Sequence, residues 1–172
     1  MAEALLQDRL DQRGAKADVS SAGVIAQDRP ATDEVIELMA GRGLDVTAHR
    51  SRLLSAPMVS RADLVLGMAR EHVREAVLLD PAAFARSFTF KELVHLAQDA
   101  GARPADQAFD DWLACLSEGR TPVAHLGLSD SDDVDDPMGR RFSFYKRVAA
   151  EIEQLTDLLV DLAWPGQPAE QD

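Results

Sequence analysis

One thiol, four imidazoles and a crowd of carboxylates are the groups in this sequence that could carry a reaction. Cys115, the thiol, sits in Trp112-Leu113-Ala114-Cys115-Leu116-Ser117-Glu118-Gly119-Arg120. A thiolate that attacks phosphorus needs the spacing Cys-x5-Arg. That length lets backbone N–H groups curl round the phosphate while the Arg closes the ring. Here the spacing is Cys-x4-Arg, and Glu118 inside it would repel a dianion. Cys115 also falls on or beside the apolar face of a helix, so it reads as a buried, unreactive thiol.

The imidazoles are His49, His72, His95 and His125. His72 and Glu75 lie one helical turn apart, but no second His completes a zinc pair, and no metal is expected. Surface or capping roles suit these histidines. His49 sits in a polar knot, Thr47-Ala48-His49-Arg50-Ser51-Arg52. Asp130, Asp132, Asp133, Asp135 and Asp136 crowd one loop. A calcium loop beginning at Asp130 would need Gly sixth and Glu twelfth, and those places hold Asp135 and Arg141. The run therefore reads as a solvated acidic loop, with one sharper feature at Asp136-Pro137. Proline biases the residue before it toward extended backbone, which holds the Asp136 carboxyl out just ahead of a helix. A carboxyl with a raised pKa in that position could donate a proton to a leaving oxygen.

These groups must be positioned by the rest of the chain. Its 172 residues suggest one domain, able to bury roughly 70% of its unfolded surface without disulfide or metal. The reading is a single domain over residues 1–164 and a frayed acidic tail over 165–172. Eighteen Lys and Arg against thirty Asp and Glu give a net charge of −12. That argues against binding nucleic acid or an anionic membrane surface. One cysteine excludes an internal disulfide framework and points to a reducing compartment. No stretch is apolar enough to span a bilayer, and the acidic start does not read as a signal peptide, so the cytoplasm is expected.

Periodicity predicts the order of elements. A first helix carries Leu5, Leu6 and Leu10 and stops at Gly14. A short strand follows at 17–21. A helix after Pro30 and Thr32 turns Val35, Ile36 and Met39 inward and ends at Gly41 and Gly43. Residues 44–54 are a polar connection with a candidate short strand at 44–46, and a turn of helix follows Pro57. Residues 63–68 are mostly apolar, as in a strand buried on both faces. A helix over 70–79, a strand over 86–90 and a helix starting at 91–98 come next. Phe109, Trp112, Leu113 and Leu116 make an amphipathic helix. A polar loop over 121–136 leads to a long final helix with Phe142, Tyr145, Ala149, Ile152, Leu155, Leu159 and Leu162 on its stripe. The fold class is α/β, a three-layer sandwich with a mainly parallel sheet, whose ligands bind at strand carboxyl ends. Such domains usually open with a strand, and this one opens with a helix.

Several pieces together resemble the low-molecular-weight protein-tyrosine phosphatases, in a bacterial form. They are Met1-Ala2-Glu3-Ala4-Leu5-Leu6, Ser20-Ser21-Ala22-Gly23, His49-Arg50-Ser51, Ala62-Asp63-Leu64-Val65-Leu66-Gly67-Met68, and Asp136-Pro137 before a long C-terminal helix. Their order and spacing match over most of the chain, while about 97–133 reads as a divergent insertion. The resemblance implies a phosphotyrosine phosphatase I-like fold, no cofactor, and a phosphorylated protein or small phosphomonoester as partner. It makes Asp136 the general acid, and Ser21 and His49 the supports of the catalytic loop. The family often places tyrosines after Asp-Pro, whereas Met138 and Gly139 stand here.

In that family a first strand ends in a loop of the form C-x-G-N-x-C-R-S-P, commonly followed by Met-Ala-Glu, which are residues 1–3 here. By this resemblance the first strand, the nucleophilic Cys and the loop Arg are missing, and the chain as given is expected to be inactive. It is also expected to fold poorly or aggregate, because loss of an inner strand leaves unpaired backbone groups. A start upstream of Met1 would restore the loop. A natural fragment that serves as a non-catalytic binding module, and an arsenate reductase with Cys115 as its resolving thiol, are the alternatives. The oligomeric state is left open.

Overall fold

The computed structural model describes residues 1–25, 27–121 and 132–165. Among these, α1 spans Ala2–Arg13, α2 Asp33–Ala40, α3 Ala56–Arg61, α4 Arg70–Leu79, α5 Phe90–Ala100, α6 Phe109–Ser117 and α7 Phe142–Ala163. The strands are β1, Val65–Gly67, and β2, Ser87–Thr89. They run parallel, with Leu66 opposite Phe88, and a 3-10 turn at Pro81–Arg86 precedes β2.

Side-chain alternation along β1 builds the layers, because successive residues of a strand point to opposite faces. Val65 packs against a small cluster of Val59, Ala76 and Ala83, contributed by α3, α4 and the 3-10 turn. Leu66 joins the main core, where Phe88, Phe90, Leu93 and Leu159 are fully buried. Helices α1, α2 and α5 pack on α7 on that side. The stripe read along α7 is largely the buried one: Tyr145, Ala149, Ile152, Leu155 and Leu159 all face inward.

Local chemistry explains where elements stop. Gly14 ends α1 in the left-handed region, φ 69°, which costs glycine little. Gly67 ends β1 where α4 returns over it; a Cβ there would lie 2.9 Å from the Ala69 carbonyl oxygen and from Val73 Cγ2. Thr89 closes β2 and caps α5 at once. Its Oγ1 accepts from Glu92 N–H at 3.1 Å, and the Glu92 carboxylate accepts from Thr89 N–H at 3.2 Å.

Three sequence expectations need correction. Residues 17–21 form no strand: no ladder partner reaches them among the described residues. Their backbone is held by a side chain instead, with Gln7 Nε2 donating to Ala17 O at 3.1 Å and Gln7 Oε1 accepting from Val19 N–H at 2.8 Å. Residues 44–46 are likewise not a strand. The polar knot pairs elsewhere, through isolated bridges Gly23–Leu53 and Pro30–Arg50. Finally, Cys115 is exposed, not buried. The inward stripe of α6 is Trp112, Leu113 and Leu116, and Cys115 falls just off it. The tail expected over 165–172 lies outside the described residues except for Pro165, as do His125, Asp130 and most of the 121–136 loop. No described helix is long and apolar enough to cross a membrane.

Candidate active site

The first turn of α1 gathers residues from two distant segments. Glu3 is the hub. Ser21 Oγ donates a short hydrogen bond to Glu3 Oε2. His49 Nδ1 lies 3.9 Å from the same oxygen. Ser21 comes from the run after α1 and His49 from the polar knot, so a turn of helix and two loops converge on one carboxylate. An acidic residue in a helix's first turn also complements the helix dipole. The Met1 amine beside this turn is held below its ordinary value of 8.0 by burial, partly offset by the charge of Glu3.

The Asp136 loop is fixed from another direction. Val134 is buried, and its N–H donates to Met68 O at 2.7 Å, directly beyond the carboxyl end of β1. Arg70, at the start of α4, completes the anchor. Its N–H donates to Asp133 Oδ1 at 2.9 Å and its Nη2 to Asp132 Oδ2 at 2.7 Å. The acidic run is therefore not simply solvated: two of its carboxylates and its one apolar side chain clamp it to the β1–α4 junction. Asp136 itself is exposed. Its Oδ1 accepts from Met138 N–H at 2.9 Å, an Asx turn that opens the Pro137–Arg140 bend.

Ser21 and His49 thus come together, and Asp136 stands on a separate, anchored loop, its carboxylate bonded to Met138 N–H and not to Glu3. Sequence reasoning missed Glu3 as the hub, although it stood within a quoted segment. It also missed Arg70, whose partners lie more than sixty positions away. His72 is a cap, its Nδ1 accepting from Ala69 N–H at 3.1 Å. Arg120 does not close a loop round Cys115. It forks onto Glu92 at 2.8 and 3.0 Å, donates to Ser87 O at 2.7 Å and lies 3.9 Å over the Phe88 ring. Among the described residues no three His, Cys, Asp or Glu side chains gather as metal ligands.

Taken together, the chain is an α/β protein in which one anchored carboxylate loop leaves the carboxyl end of a parallel strand and a polar triad seats the first turn of the opening helix. The sequence profile described as low molecular weight phosphotyrosine protein phosphatase matches residues 1–104, and the chain belongs to that family. It is 34% identical over 120 residues to a probable low molecular weight protein-tyrosine-phosphatase EpsP of Ralstonia solanacearum, covering 69% of this chain and 80% of that protein. The low molecular weight protein tyrosine phosphatase from T. tengcongensis shares its fold with TM-score 0.68 and 28% identity, covering 93% of this chain and 87% of that one. The YwlE arginine phosphatase from Geobacillus stearothermophilus matches with TM-score 0.65 and 25% identity, over 93% of this chain and 80% of that one.

Proposed function

We propose that the protein hydrolyses phosphotyrosine or another phosphomonoester through a phosphocysteine intermediate, with the nucleophile loop supplied ahead of Met1. The observation that carries this reading is the convergence of Ser21 and His49 on Glu3, at the point where the loop would enter α1. One further observation supports it: residues 17–21 reach no strand partner among the described residues.

In this reading the loop thiolate attacks phosphorus and the P–O bond to the leaving group breaks. Asp136 gives its proton to the departing oxygen. The Asp136 carboxylate then takes a proton from water, which attacks the phosphocysteine and releases inorganic phosphate. The N–H groups at the start of α1 stabilise the phosphoryl charge and lower the thiol pKa. Ser21 and His49 hold the base of the loop through Glu3. The 172 residues alone contain no Cys-x5-Arg and are inactive in this reading. A reactive thiolate suits the reducing cytoplasm.

Translation of the codons preceding Met1 and assay of the resulting protein with p-nitrophenyl phosphate test the proposal. Turnover is expected, and Asp136→Asn is expected to slow it by ~10²–10⁴-fold. A rate untouched by that change removes Asp136 from its role. A second reading, a non-catalytic module on the same fold, requires that the extended protein also fail to hydrolyse the ester. The arsenate reductase reading has less support, since Cys115 sits on α6, which packs on α5 and the 3-10 turn.

A further inference from the structure

The polar knot beside the site carries a surface that the catalytic reading leaves unused. Residues 23–25 and 27–30 are tied to residues 50–54. Gly23 N–H donates to Arg52 O, Leu54 N–H to Gly23 O and Asp28 N–H to Ser51 O, each at 2.8 Å. Ser51 N–H donates to Arg29 O at 2.9 Å, and Ser51 Oγ accepts from Arg29 N–H at 3.0 Å. This clip starts two residues after Ser21 and one residue after His49, so it is joined directly to the Glu3 cluster.

Its outer face combines two features. Ile25 is 91% exposed, with Val24 and Leu53 also exposed beside it. Arg29 and Arg52 are exposed and hold no carboxylate among the described residues, and Arg50 donates only to the carbonyls of Thr47 and His49. Elsewhere Arg9, Arg13, Arg42, Arg70, Arg86 and Arg147 each grip an acid, while Arg61, Arg74, Arg103, Arg140 and Arg141 hold none among the described residues but are not gathered in one tied pair of segments. Against the three arginines of the clip stands one acid, Asp28. A cationic, apolar rim on a chain of net charge −12 is a local inversion of sign, and it selects an oppositely charged partner.

We propose that this clip docks the flanks of a phosphorylated protein substrate whose sequence around the phosphoresidue is acidic and carries an apolar side chain. Arg29 and Arg52 read the acids and Ile25 takes the apolar group, so the clip sets which phosphoprotein is presented. The identity of the occupant as a substrate rests on the phosphatase reading; the surface does not.

The test is fluorescence anisotropy of the upstream-extended protein with a labelled peptide of alternating glutamate and leucine, beside a control peptide with lysine for glutamate. The acidic peptide is expected to bind and the lysine peptide not. The double variant Arg29→Glu, Arg52→Glu is expected to weaken binding at least about tenfold, and Ile25→Ser to weaken it less, while Arg74→Glu on α4 leaves it unchanged. Circular dichroism of the variants checks that these exposed changes leave the fold intact. Equal binding of both peptides, no binding of the acidic one, or indifference to the double variant overturns the proposal. So does a salt-sensitive self-association abolished by the double variant, which would make a second copy of the chain the occupant. Failure of the upstream-extended protein to hydrolyse p-nitrophenyl phosphate would sink the phosphatase reading without touching the anisotropy result.

Discussion

Val65–Gly67 is paired along its length with Ser87–Thr89, whereas residues 17–21 reach no strand and rest on the side chain of Gln7. On the β2 side of the ladder the groups are buried and matched: Ser87, Phe88 and Thr89 are fully buried, Arg120 forks onto Glu92, and α5 is capped as β2 ends. Around the unladdered run the groups are half-buried and polar: Ser21, Glu3, His49 and the Met1 amine. The lesson is that the strand ladder and the candidate site occupy different regions. Backbone groups bonded to a neighbouring strand share cooperative packing, while backbone groups bonded to one glutamine do not. Low local stability is where binding loops are ordinarily found.

The largest expected effect comes from cutting into the laddered half. Phe88→Ala removes a fully buried ring and should cost ~3–5 kcal/mol in urea unfolding, against about 1 kcal/mol or less for Val19→Ala in the unladdered run. Equal losses would erase the contrast. Glu92→Gln comes next. It removes the carboxylate onto which the Arg120 guanidinium, whose side chain is only 7% exposed, forks with two hydrogen bonds, and should cost ~1.5–3 kcal/mol by the same measurement.

A smaller effect sharpens the other side. Gln7→Ala removes both bonds that hold residues 17–19 and should cost ~1–2 kcal/mol. Hydrogen exchange gives the sharper reading. The Val19 amide should lose protection while the Phe88 amide keeps it. Loss at both positions would mean that the two halves unfold as one unit.

Much of this division was legible in the sequence, and the parts that were not share a cause. The stripes of α6 and α7 are periodic, so burial could be read from spacing. The apolar run at 63–68 announced β1, because a strand buried on both faces needs no polar alternation. Residues 17–21 have an equally strand-like composition, but a strand exists only where a partner offers its ladder, and no local pattern records that. Cys115 sat one position off its stripe, within the error of a helical wheel. Ser21, His49 and Asp136 came from the ordered motifs, and the structure joins the first two. Glu3 as their meeting point and Arg70 as the clamp on Asp132 and Asp133 are products of chain crossing, invisible to spacing.

The smallest expected effect concerns the edge of the candidate site. Burial lowers the pKa of the Met1 amine, with Glu3 pulling the other way. In the unfolded chain the same amine titrates near 8.0. Between the lowered folded value and 8.0, the unfolded state therefore holds more proton than the folded one. Stability must rise with pH across that window and level off above it. The penalty is complete below the folded value and absent above 8.0. Urea titrations of the 172-residue chain at a series of pH values should trace this rise, and Nα-acetylation, which leaves no amine to titrate, should flatten it. A slope that survives acetylation would assign the pH dependence to another group.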